Sequence, residues 1–284
     1  MAVQDIDKLI AQNPRLASLP DVVGELNSAV ESPYTSTGDL ADIIGRDPAL
    51  SARLLAVVNS PHYGLPRQVS SLDKAVALIG TNQLRFLAIS TVVVNRFSDM
   101  PNALVTMDTF WRHSFTCAVA ARTLAEHLGE RDRESHFLAG LLHDIGSLLL
   151  YTTLPTLSKE AILYARKKNL PVFRAERDVI GFDHAEAGAT LLRHWNLPED
   201  VVAAVGGHHE IGAQGHHGQK KAIIHLANGI ATAIHPSTPL FKEPQHVDPD
   251  AWRLAGVSET QLDAVLGEID QRVAEAMGVL YYAA

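Results

Sequence analysis

The segment Ala139-Gly-Leu-Leu-His-Asp-Ile-Gly146 sets an imidazole beside a carboxylate inside an apolar run that continues through Leu148-Leu-Leu150. A buried polar pair is costly unless each member finds a partner. Neighbouring residues on a helix point about 100° apart. His143 and Asp144 can therefore grip one ion only from the side, or hold two ions with the carboxylate between them. Working outward, His113 lies 30 residues upstream in an amphipathic stretch predicted to be helical over 110–128. His184 follows the capping residue Asp183, and His208-His209 follow a helix that starts at Pro198. Several helices each delivering a histidine to one point is how helical bundles build metal sites, and neutral imidazole suits iron, manganese, zinc or nickel. The expected ligands are His113, His143, Asp144, His184, His208 and His209. A histidine taken singly is more often an ordinary hydrogen-bonded side chain than a ligand. His127, His136 and His194 are read that way, His216-His217 as solvated, and Cys117 as a packed thiol with no base beside it.

The flanking sequence is helical in pattern. Asp47-Pro48 is a cap followed by proline at the first helical position, and Leu50, Leu54, Leu55 and Val58 recur at helical spacing. Ser36-x-x-Asp39, Ser70-x-x-Asp73, Asp183-x-x-Glu186 and Ser258-x-x-Gln261 resemble capping boxes or close variants, and Gly80 and Gly129 sit where helices should stop. Strand-like alternation is nearly absent, so the chain is expected to be all-α. Thirteen of the 14 histidines lie between His113 and His246, with only His62 before them. That shift, with a turn at Ser98–Asn102, predicts an N-terminal helical subdomain over 1–105 and a histidine-bearing one over 106–236. An extension over 237–284 ends in a helix near 258–277. An apolar seam is expected between the two halves, with Leu54, Leu55, Leu78, Leu141, Leu142 and Trp195 largely buried.

Composition narrows the function classes. The 284 residues carry a net charge of −8, and the densest basic run is Arg166-Lys167-Lys168, so neither nucleic acid nor membrane is an expected partner. The single cysteine excludes an intramolecular disulfide framework. The polar N-terminus lacks signal-peptide features and no apolar run approaches the ~20 residues of a bilayer span, so a cytoplasmic protein is expected.

At these residues the chain resembles the HDOD (HD-related output domain) family, the bacterial signalling branch of the HD-domain metal phosphohydrolases. The likeness runs from about Leu16 to Ala233. It rests on Asp47-Pro-Ala-Leu-Ser-Ala-Arg-Leu-Leu55, Asn59-Ser60, Ser71–Gly80, Phe110-Trp111-x-His113-Ser114, Ala139–Gly146, His184-Ala-Glu-Ala-Gly188, Trp195-x-Leu197-Pro198 and His208-His209. The resemblance implies an all-helical HD-like bundle preceded by an N-terminal helical subdomain, and a regulatory role without hydrolysis. In catalytic relatives the positions of His113, His143 and Asp144 bind metal with a closing aspartate, and those of His184, His208 and His209 serve further ions. Here Asn228 stands where that aspartate is expected, Ser147 replaces a phosphate-meeting lysine, and Thr109 replaces a ligating glutamate.

The favoured expectation is a signal-transduction output or scaffold domain with a degenerate HD-type metal site, acting through an unidentified signalling protein. The alternative is a metal-dependent phosphohydrolase acting on a nucleotide or cyclic dinucleotide. It would use one or two divalent transition metal ions (Fe, Mn, Zn or Ni), with Arg112, Arg122 or Arg193 meeting the phosphate. A weaker third reading is a histidine-based sensor of iron, redox state or pH. A nucleotide-type ligand and a homodimer are further expectations.

Overall fold

The computed structural model describes residues 5–32, 34–60, 63, 65, 67–100, 103–211, 217–235 and 247–281. Among them the regular elements are all helices. Seven form the N-terminal half: α1 (Ile6–Ala11), α2 (Pro14–Ala17), α3 (Asp21–Glu31), α4 (Thr37–Gly45), α5 (Pro48–Val58), α6 (Leu72–Ile79) and α7 (Thr81–Phe97). Eight form the histidine-bearing half: α8 (Met107–His127), α9 (Arg133–Leu142), α10 (Ile145–Thr153), α11 (Pro155–Lys168), α12 (Val172–Val179), α13 (His184–His194), α14 (Glu199–Gly206) and α15 (Gly218–Ile234). Two follow, α16 (Asp250–Ala255) and α17 (Glu259–Leu280). His62, His216, part of the Ser98–Asn102 turn and most of the Pro-rich stretch after Ile234 lie outside the described residues.

Local chemistry explains most helix starts. Asp47 accepts from the backbone N–H groups of Ala49 and Leu50 at 2.9 and 3.0 Å, with Pro48 at the first helical position. Ser36 with Asp39, and Ser258 with Gln261, close reciprocal capping boxes. The expected box at Ser70 is displaced by one residue, because Ser71 is the extended residue whose hydroxyl accepts from Lys74.

A single apolar core runs through both halves. The Trp195 ring stacks on Phe97 at 5.6 Å, and its indole N–H donates to the Leu16 carbonyl at 2.8 Å. Asn27 donates to the Asn196 carbonyl at 3.0 Å, so polar bonds also cross the seam. Helix α17 lies against α8 and the N-terminal half, tied by Arg272 to Glu126 at 2.9 Å. Leu54, Leu141, Leu142 and Trp195 are buried, and Leu55 is half-buried. Leu78 is not buried: it is 60% exposed. Helix α6 buries Ala75 and Val76, and a residue two positions after Val76 stands about 200° around the helix, on the opposite face. No single helix among the described residues is long and apolar enough to cross a membrane.

Candidate metal centre

Six helices frame the centre. His113 projects from the second turn of α8. His143 and Asp144 occupy a break rather than the interior of a helix. His143 ends α9 and Asp144, with φ −98° and ψ 8°, precedes α10. His184 is the first residue of α13, capped by Asp183, which accepts from the Glu186 N–H at 2.9 Å. His208 and His209 follow the end of α14, and Asn228 lies in α15. Two glycines set the approach of these helices. A Cβ on Gly140 would stand 2.7 Å from Ala118 Cα, so its absence lets α9 close on α8 and brings His143 to His113. A Cβ on Gly146 would stand 2.5 Å from the Gly188 nitrogen, so α10 and α13 touch backbone to backbone.

All six expected ligands converge. The Asp144 carboxylate sits between two groups. Its Oδ2 faces His113 Nε2 at 3.4 Å and His143 Nε2 at 3.3 Å. Its Oδ1 faces His184 Nε2 at 3.2 Å and His208 Nε2 at 3.8 Å. His209 Nε2 lies 2.7 Å from His184 Nε2. The donors of His113, His143 and Asp144, and those of His184, His208 and His209, each form a set spaced to hold one ion.

The opposite ring nitrogens show how the rings are held. The Nδ1 atoms of His113, His143 and His208 meet the carbonyls of His235, Gly140 and Val205 at 2.6, 2.8 and 2.6 Å. A carbonyl only accepts, so each Nδ1 carries a proton and, in the neutral ring, each Nε2 turns a lone pair inward. Glu176, 1% exposed, accepts from both the Nδ1–H and the backbone N–H of His184, at 2.6 and 2.9 Å. Outer-shell partners of this kind orient metal-binding imidazoles.

Facing lone pairs need a positive charge between them. His113 Nε2 and His143 Nε2 are 3.2 Å apart, and His208 Nε2 is buried with no hydrogen-bond partner among the described residues. The two sets therefore fit a cation each, and the Asp144 carboxylate lies between them. Without ions, protons take that place. Burial opposes charging His143 and His184, but Asp144 lifts the first and Glu176 with Asp144 the second well above the usual histidine range. Burial holds His113 down to about 4, and His208 and His209 well below their ordinary value. Asp144, despite burial, stays well below the carboxylate range because His143 and His184 flank it.

Asn228 stands near enough to His113 to favour its charged form, so the amide borders the cluster. Thr109 is bonded to Thr106 at 2.8 Å instead. Cys117, read from sequence as a packed thiol with no base beside it, is fully buried and close enough to His143 to favour its charged form. The three arginines offered for phosphate are placed otherwise. Arg122 is buried against Glu134 at 2.7 Å, Arg112 pairs with Asp108 at 2.8 Å, and Arg193 is exposed. Sequence reasoning missed Glu176, although it falls on the apolar face of α12 marked by Val172, Phe173 and Ile180, where a carboxylate needs a partner. It also missed Phe173, whose ring stacks on His209 at 4.2 Å.

A family model described as the HDOD domain matches residues 16–211. An uncharacterised protein of Treponema pallidum (strain Nichols) is 26% identical over 200 residues, which is 69% of this chain and 38% of that protein. The chain thus spans well under half the length of this curated relative. An HDOD domain protein from Geobacter sulfurreducens has the same fold, with a TM-score of 0.74 at 22% identity over 98% of this chain and 100% of that one. A protein from Shewanella amazonensis SB2B, named as a candidate phosphohydrolase, aligns with a TM-score of 0.69 at 25% identity over 96% and 94%. One from Marinobacter aquaeolei VT8, named as a candidate signal transduction protein, gives 0.69 at 21% identity over 92% and 59%.

Proposed function

The chain belongs to the HDOD domain family, and from that premise we propose that it is a signal-transduction output module. In this reading it carries an HD-type centre for two divalent transition ions and acts on a partner signalling protein by contact rather than by hydrolysis. The observation that carries the reading is Asn228. It borders His113 at the position where catalytic HD relatives close the site with aspartate, and its amide oxygen brings no charge. The donor set is then five imidazoles and one bridging carboxylate, which suits iron, manganese, zinc or nickel better than the hard ions magnesium and calcium. When bound, such ions would cross-link α8, the α9–α10 junction, α13 and the end of α14. The output surface would then depend on metal occupancy. His143 and His184 hold the carboxylate, while Glu176 and the backbone carbonyls fix the rings.

A second reading, metal-dependent phosphohydrolysis, is favoured by one feature: Asp144 bridges two ligand sets, as a two-ion hydrolase requires. The arginines offered by sequence do not support it: Arg112 and Arg122 pair with carboxylates, and Arg193 lies nine residues, about 14 Å, along α13 from His184. Elemental analysis of untagged protein, with turnover of bis(p-nitrophenyl) phosphate by wild type and His143→Ala, separates the two. Bound metal without turnover is the expected result. Turnover that His143→Ala abolishes would establish the hydrolase.

A further inference from the structure

Helices α2, α3, α5 and α7 line a concavity of about 330 Å³ that includes none of the metal-centre histidines and whose rim carries Arg15, Arg53 and Arg96. We propose that this concavity binds a small molecule through a phosphate or diphosphate group, separately from the metal centre. The three guanidinium groups come from segments far apart in the chain, and none lies within ion-pair distance of a carboxylate among the described residues. In a chain with 32 acidic and 24 basic side chains, three arginines gathered without acidic partners are notable. The Arg15 guanidinium donates to the Arg96 carbonyl at 3.0 Å, which holds Arg15 over the end of α7. The one acidic residue on the rim, Asp47, spends its Oδ1 on the Ala49 and Leu50 N–H groups. Three arginines against one aspartate leave the rim with a net charge of +2.

Arginine presents a planar fork of donors that matches phosphate oxygens, and like charges brought together are relieved by a bound anion. The concavity has the volume of a small-ligand site. Its walls include the apolar Val22, Leu50 and Val92, beside Asn95, which would pack the rest of the molecule. The frame is rigid: Arg15 adjoins Leu16, whose carbonyl takes the Trp195 N–H, and Arg96 adjoins Phe97, which stacks on the same Trp195. An anion drawing Arg15 and Arg96 together would act on the seam between the two halves.

Isothermal titration of chelator-treated protein with pyrophosphate tests this, the chelator excluding binding through metal. Saturable binding at about 1 mM or tighter is expected. Arg53→Ala and Arg96→Ala should each weaken it about tenfold, the scale of one charge-assisted contact. Arg53→Lys should fall between, and His143→Ala should leave it unchanged, with circular dichroism confirming that each variant folds. Unsaturable heat, wild-type affinity in both alanine variants, or loss in His143→Ala would each overturn the proposal.

Discussion

Gly146 lies so close to His184 that a Cβ built on it would stand 2.0 Å from the His184 carbonyl oxygen. The obstacle is backbone, which cannot swing aside as a long side chain would. Gly146→Ala should therefore force α10 and α13 apart. A destabilisation of about 3 kcal/mol is expected, read as a lower urea midpoint, with parallel loss of metal binding. A variant with wild-type stability would show that the helices do not touch there.

Glu176 orients His184 from the ring nitrogen opposite the one that faces Asp144. Glu176→Gln keeps the shape and removes the charge. Metal affinity should fall about 10–100-fold, measured by competition with a chromogenic chelator, while far-ultraviolet circular dichroism stays the same. Unchanged affinity would make Glu176 a partner of the fold alone.

Asn228 is the position at which charge can be restored. Asn228→Asp should raise affinity for a divalent ion by about tenfold or more, since a carboxylate offsets ion charge and an amide does not. The same competition assay reads it, and an unchanged value would place Asn228 outside the coordination sphere.

Stability should depend on pH in a stated direction. His113 and His136 are held at about 4 in the folded chain, chiefly by burial, against 6.5 in the unfolded one. The unfolded state therefore takes up protons that the fold refuses as pH drops from 6.5 to 4. Each group costs on the order of 3 kcal/mol across that window. His143 and His184 act oppositely: their raised values stabilise the fold below 6.5, and that contribution fades as pH rises through them. Urea unfolding of chelator-treated protein should give a midpoint that falls steadily from pH 6.5 to 4.5. A flat profile over that range would contradict the burial of these rings.

Leu141 is fully buried beside the ligand-bearing junction. Leu141→Ala should cost about 2–5 kcal/mol, seen in the same unfolding assay, and a cost below 1 kcal/mol would mean that the neighbouring helices collapse into the space.

The all-helical fold was legible in the sequence because its signals are local. Asp47-Pro48, Ser36 with Asp39, and Ser258 with Gln261 each satisfy backbone donors within a few residues, so spacing alone reveals them. The six side chains that converge were legible for a different reason. Imidazole and carboxylate are expensive to bury, and their recurrence at family-specific positions narrows the choice. Leu78 shows where periodicity fails, since a short helix offers too few turns to say which face meets the core.

What the chain determined alone is therefore its helices, its caps and the identity of the centre's donors. Only packing decided that Asp144 lies between two histidine groups, that Glu176 holds His184, and that Arg15, Arg53 and Arg96 share a rim. Those relations join residues from about 8 to about 80 positions apart, and the first depends on close helix crossings at Gly140 and Gly146. Distances of that kind arise from how faces interdigitate, which local spacing does not encode.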